Sequence, residues 1–289
     1  MKVLSRGIST QYFVKQLIAI ILVTTLILML SISYAYPSSH EAELTRAGQW
    51  LVAQQQSDGG FELSGYPGFE TPDAISALAS ISQLGKNYNK LEALDEIKNI
   101  KIGGLSPLDY VDDLVDTNIS AGTAAKIILN VVIPLGLDPY DFDPSNDSPN
   151  AVNLVEAIHG AQLPDGSYGV GVFNASLSAS LALVLVEGNV PAQSKSYILS
   201  GQATDGSFNY AGDPTLQDGG ADTTGLTIEF LVASGDNLEN PAMIRAIQYL
   251  ALLINDDGSI PNFGTKDPNS TAATLRALNA TGLDSTQRQ

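Results

Sequence analysis

Gln56-Ser57-Asp58-Gly59-Gly60-Phe61 ends a helical pattern, and its design returns at Pro164-Asp165-Gly166-Ser167-Tyr168, Thr204-Asp205-Gly206-Ser207-Phe208 and Asp256-Asp257-Gly258-Ser259-Ile260. Each copy is an Asp-Gly turn, then a small residue, then a large apolar one. Aspartate bonds its own backbone two residues on and glycine accepts positive φ, so the peptide reads as a tight turn. A turn that recurs behind helical patterns marks an array of helical hairpins.

Upstream of the turns, Leu44, Ala47, Leu51 and Gln55 recur at helical spacing over 41–56, as do Met243, Ile247, Leu250 and Ile254 over 239–254. Downstream, second helices are expected to begin near Asp73, Asn118, Asn174, Asp222 and Asn269, with these short polar residues as N-caps. They are expected to end at Gly85, Gly136, Gly188, Gly235 and Gly282. The starts lie 45, 56, 48 and 47 residues apart, which gives five repeats at about 41–85, 88–136, 151–188, 191–235 and 239–282. In the second repeat Gly103-Gly104 stands where the others have Asp-Gly. The second helices are nearly all Ala, Ser, Thr, Leu and Val, so they are expected inside; the first carry Lys, Glu and Gln and are expected outside. The expectation is an all-α chain: an αα-toroid of about five hairpins with inner and outer rings, formed by residues 36–289.

Arg46-Ala47-x-x-Trp50-Leu51-x-x-x-Gln55-x-x-x-Gly59-x-Phe61 resembles the Gln-Trp repeat of squalene and oxidosqualene cyclases, with phenylalanine in place of the closing tryptophan. Arg245-Ala246-x-x-Tyr249-Leu250 repeats the opening with Ile254 at the glutamine position, and Gln162 and Gln202 keep the four-residue step to Gly166 and Gly206. The resemblance covers about 41–283. It implies the toroid of the terpenoid cyclase/protein prenyltransferase superfamily, of which prenyltransferase and squalene oxidase repeat proteins are part. Class II cyclases of that family protonate an alkene from the central Asp of Asp-x-Asp-Asp-Thr, where desolvation and neighbouring carboxylates let a carboxyl keep its proton. The matching stretch here is Gly219-Gly220-Ala221-Asp222-Thr223, so the donor's place is taken by Ala221. The zinc of the prenyltransferases needs a cysteine, and this chain has none, which also removes thioester chemistry.

Other acids are secondary candidates. Tyr110-Val111-Asp112-Asp113-Leu114-Val115-Asp116 is the densest acidic cluster, and on a helix Asp112 and Asp116 would share a face. Asp141-x-Asp143-x-Ser145 hints at a calcium loop but lacks the EF-hand glycine and glutamate, so Asp141 and Asp143 remain minor metal candidates and no cofactor is expected. His159 is expected on the surface of the third outer helix.

A net charge of −17 argues against a nucleic-acid or anionic-membrane partner, because its phosphates would be repelled. Lys2, Arg6 and Lys15 precede an apolar run over 17–32 that ends at Ser33-Tyr34-Ala35. This reads as a signal peptide cleaved after Ala35, or as an uncleaved membrane tether through 16–35. Either reading places 36–289 outside the cytoplasm, secreted or anchored.

The functional expectation is a ligand-binding or scaffolding module without catalysis. Its mouth would be lined by Asp73, Asn118, Asn174, Asp222 and Asn269 with Phe173, Phe208 and Tyr210, and would take a small molecule, a glycan or a peptide. The alternatives are a divergent isoprenoid cyclase or toroid lyase using Asp222, Asp112 or Asp113, and a cobalamin-carrier-like binding domain.

Overall fold

The computed structural model describes residues 40–62, 68–145, 151–169, 173–216, 219–262 and 264–283. Residues 1–35, expected from sequence to be a signal peptide or tether, lie outside them. The chain divides into Met1–Ala47 and Gly48–Gln289, and the second unit carries all that follows; of the first, the described residues 40–47 belong to the opening turns of α1.

Eleven helices and one short ribbon make up the described residues. The outer series is α1 (Glu41–Val52), the split pair α3 (Lys90–Asn99) and α4 (Pro107–Leu114), α6 (Leu154–Gly160), α8 (Ala192–Ser200) and α10 (Pro241–Leu253). The inner series is α2 (Thr71–Ser82), α5 (Ala121–Ile127), α7 (Phe173–Glu187), α9 (Ala221–Ala233) and α11 (Pro268–Thr281). α5 runs on through a π turn, Ile128–Val132, into a last helical turn, Ile133–Leu135. The expected αα-toroid architecture is present, with one addition: β1 (Ile260–Asn262) pairs antiparallel with β2 (Thr265–Asp267).

Among the inner helices α7 comes nearest to being apolar around its whole circumference. α7 buries Phe173, Leu177, Ala179, Leu181, Ala182, Leu183 and Val184. The helices pack in series: α2 on the π turn, α5 on α7, α7 on α9, α9 on α11. Among the described residues α2 and α11 do not pack on each other as neighbours, so the inner series is an arc.

The Asp-Gly peptides join each hairpin to the next. The closing large residues Phe61, Tyr168, Phe208 and Ile260 are all buried. Gln55 Nε2 donates to the Gly59 carbonyl (3.0 Å) and to Leu105 O (3.3 Å), just before α4. Gln202 Nε2 repeats this with Gly206 O (3.0 Å) and Ala242 O (2.8 Å) in α10. Gln162 Nε2 reaches Ser194 Oγ in α8 (3.0 Å). In Gln55 and Gln202 one carboxamide thus satisfies its own turn and the start of a following outer helix.

The inner helices start differently from the expectation of Asp and Asn caps. Ser120 and Asp267 cap α5 and α11 through Thr123 N–H and Ser270 N–H, whereas Glu70 and Gly220, at the N-cap positions of α2 and α9, supply no side-chain cap to the helix. Asp73, Asn174, Asp222 and Asn269 lie inside the first turns, and Asn118 lies ahead of α5. A hydroxyl sets this register. The N–H of Phe61 donates to Thr71 Oγ1 (2.9 Å), Tyr168 to Ser176 Oγ (2.9 Å), Phe208 to Thr224 Oγ1 (3.0 Å) and Ile260 to Thr271 Oγ1 (3.0 Å). Thr224→Val keeps the shape and orphans a buried N–H, so it is expected to cost about 1–3 kcal/mol, measured by urea denaturation.

α4 ends at Leu114, with Val115 extended, so Asp112 and Asp116 do not share a helix face. The Asp116 carboxylate instead accepts the N–H of Asn118 (2.7 Å), closing the loop into α5.

Candidate functional site

The inner helices surround a cavity of about 1000 Å³. α5 contributes Lys126, Leu129, Asn130 and Ile133; α7 contributes Asn174, Ser178, Leu181 and Leu185; α9 contributes Leu226, Glu229 and Val232. Asp73 on α2 and Arg276 on α11 stand at the two ends of the arc. Phe69 and Tyr210, from the loops before α2 and α9, are exposed and complete the lining.

Charge enters this apolar space only as pairs among the described lining residues. Lys126 Nζ meets Asp73 Oδ2 at 2.9 Å, and Asn130 Nδ2 donates to Asp73 Oδ1 at 3.1 Å. The Lys126 ammonium also lies 4.0 Å from the centre of the Phe69 ring. On the other side Arg276 Nη2 meets Glu229 Oε2 at 2.8 Å. Each pair joins neighbouring inner helices, α2 to α5 and α9 to α11, and the α7 wall between them is uncharged. Partly exposed pairs add only about 0–1 kcal/mol to stability. Their larger effect is to leave neither carboxylate without a cation beside the apolar wall.

Of the residues singled out from sequence, Asp73, Asn174 and Tyr210 lie on the lining. Phe173 and Phe208 are buried and stack at 6.4 Å in the core beneath, and Asn118 opens on a separate groove between the loop ahead of α5 and α6. Asp222 and Asn269, outside the lining, come together between the first turns of α9 and α11, Asn269 Nδ2 donating to Asp222 Oδ2 at 3.2 Å. Asp222 Oδ1 is buried and meets no hydrogen-bond partner among the described residues. Asp112 and Asp113 sit on α4, away from the cavity lining. Asp141 and Asp143 flank the buried Phe142, and among the described residues no cluster of three acids or histidines could hold a metal. His159 pairs with Glu187 at 3.0 Å. No described helix is long and apolar enough to cross a membrane.

Sequence reasoning missed Phe69, Lys126, Asn130, Glu229 and Arg276. A signal was present: Lys126, Glu229 and Arg276 are each the lone long charged side chain within an otherwise small and apolar inner helix. A solitary charge on a helix expected to be buried needs a partner across the interior.

The fold is shared with solved structures. The type II terpene cyclase MstE from Scytonema superposes with a TM-score of 0.58 at 15% identity, over 85% of this chain and 74% of that one. A variant of the same cyclase in complex with geranylgeranyl dihydroxybenzoate gives a TM-score of 0.57 at 16% identity over similar shares, 85% and 74%. The chain has the terpenoid-cyclase-like αα-toroid fold. In sequence, 93 residues of this chain (32% of it) are 32% identical to drimenyl diphosphate synthase of Streptantibioticus cattleyicolor, and the match spans 17% of that protein's length. No protein-family profile matches the chain.

Proposed function

We propose that this toroid binds an apolar, isoprenoid-like molecule in its central cavity without starting a protonation-driven cyclisation. The observation that carries the reading is the lining: Leu129, Ile133, Leu181, Leu185, Leu226 and Val232 face the space, while its two carboxylates, Asp73 and Glu229, are each engaged by a cation. A volume of about 1000 Å³ suits a long flexible chain, at the top of the range of about 300–1000 Å³ for small-molecule sites. The place that the family resemblance gives to the proton donor holds the buried methyl of Ala221. Complexes of the similar cyclase with a geranylgeranyl compound support the choice of ligand class.

Asp222 favours a second reading, an enzyme of cyclase type, because one of its oxygens is buried and unanswered among the described residues. One experiment separates the two. The chain is incubated with geranylgeraniol and with a linear prenyl diphosphate, binding is measured by equilibrium dialysis, and the extract is analysed by mass spectrometry. Saturable binding with the prenyl chain recovered unchanged is the expected result. A cyclised product that disappears in Asp222→Asn would establish the enzyme instead.

A further inference from the structure

The rim segment 68–71 is held by a single carboxylate from the turn before it. Glu62 directly follows the buried Phe61. Its Oε1 accepts from Gly68 N (3.1 Å), Thr71 N (3.2 Å) and Thr71 Oγ1 (2.7 Å), and its Oε2 from Phe69 N (3.3 Å) and Glu70 N (3.1 Å). Four consecutive backbone N–H groups, the last of them opening α2, converge on one side chain. The corresponding positions after the other Asp-Gly turns are Gly169, Asn209 and Pro261, so only the first hairpin has this arrangement. It fixes the residue on which the rim depends: Phe69, whose ring takes the Lys126 ammonium at 4.0 Å while Lys126 holds Asp73.

We infer that Glu62 is the positioning residue of the cavity rim: its carboxylate seats 68–71 so that Phe69 meets Lys126, and neutralising it frees Phe69. A neutral carboxyl or carboxamide keeps one good acceptor oxygen and turns the other end into a donor, so it cannot serve four N–H groups and a hydroxyl. The groups facing Glu62 are Glu70 and the Tyr110 phenol on α4, which also feels the charge of Asp58 in the turn, with Lys126 and Asp73 beyond Phe69. Partial burial works against the Glu62 charge, but hydrogen bonds from Glu70 and Thr71 outweigh it and hold the carboxyl below its ordinary 4.5. Burial first, and then the charge of Glu62, push the Tyr110 phenol up. A depressed carboxyl contributes its hold above the ordinary range and loses it as pH falls through the lowered value. The seat is therefore intact near neutrality and opens in acid. The consequence for ligand exchange rests on the cavity being a ligand site; the seating of Phe69 does not.

The test reads Lys126 directly. Lysines are reductively methylated with ¹³C, which keeps their charge, and the Lys126 methyl signal is assigned by its loss in Lys126→Arg. In the wild type, ring current from Phe69 displaces this signal upfield. Glu62→Gln and Phe69→Leu are expected to bring it to one common position at pH 7, with the other lysine signals unmoved. Acidification of the wild type below 4.5 should cause a step to that same position that Glu62→Gln does not share. An upfield signal retained in Glu62→Gln overturns the inference, and so does a wild type without the acid step, which decides the matter should the variant fail to fold. A geranylgeraniol probe should leave Glu62→Gln about tenfold faster, as for the loss of one or two charge-assisted hydrogen bonds. If no probe binds to either protein, the ligand reading fails while the lysine signal still decides the role of Glu62.

Discussion

Gly206→Ala is expected to lower the unfolding free energy by about 3–5 kcal/mol, the combined scale of left-handed backbone strain and overpacking. Gly206 has φ +93°, and a Cβ there would lie 2.3 Å from the carbonyl oxygen of Arg245. That oxygen belongs to the backbone of α10 and cannot swing aside. Gly59 and Gly166 face the same obstruction, at 2.3 Å from Ser106 O and Gln193 O, the starts of α4 and α8. The fourth turn supplies an internal control. Gly258 has φ +84° but no atom within 4 Å of the place a Cβ would take, so Gly258→Ala should cost only the strain, about 1–2 kcal/mol. Urea denaturation of the two variants measures the difference. Equal costs would mean that the turns do not support the following hairpin.

Ser178→Trp is expected to abolish binding of a geranylgeranyl probe, with a loss of at least about 100-fold in affinity, roughly 2.7 kcal/mol or more. Ser178 stands midway along the α7 face of the cavity, between Asn174 and Leu181, where an indole has open space to enter. The unfolding midpoint should change little. Ser180, two residues on, gives the contrast: it is fully buried and donates to Ser176 O at 2.8 Å, so Ser180→Trp should destabilise the fold by overpacking. Binding retained by a folded Ser178→Trp protein would show that the ligand lies elsewhere.

How far the sequence could be read follows from the range of the interactions. The Asp-Gly turns were legible because their chemistry is local: Asp165 bonds Ser167 N–H and Asp205 bonds Ser207 N–H, each two residues away. Layering was legible because an apolar circumference, as on α7, has one stable place. The inner-helix starts were misread because Ser and Thr are frequent in those helices, so the four hydroxyls that take the turn's N–H do not stand out. The charged lining was beyond reach for a different reason. Asp73 meets Lys126 across 53 residues and Glu229 meets Arg276 across 47, and only the folded arc brings them together. Glu62 lay in plain view, but its partners are backbone groups, which sequence does not distinguish.

The π turn in α5 has an effect on the make-up of the cavity wall. Such a turn takes one residue more than an α turn, which is how an insertion is absorbed without a loop. Each residue advances an α-helix by about 100°, so the added one changes which side chains face inward from there on. Leu129 and Asn130 are adjacent in sequence and both line the cavity. The same stretch of backbone therefore offers hydrocarbon to the interior and an amide to Asp73. Excising one residue from 128–132 would restore regular winding and turn Ile133 away from the cavity, while Tyr88 would lose its hold on the Pro134 carbonyl. A single extra residue, stored in the winding of one helix, lets a wall built for oil also carry a polar contact.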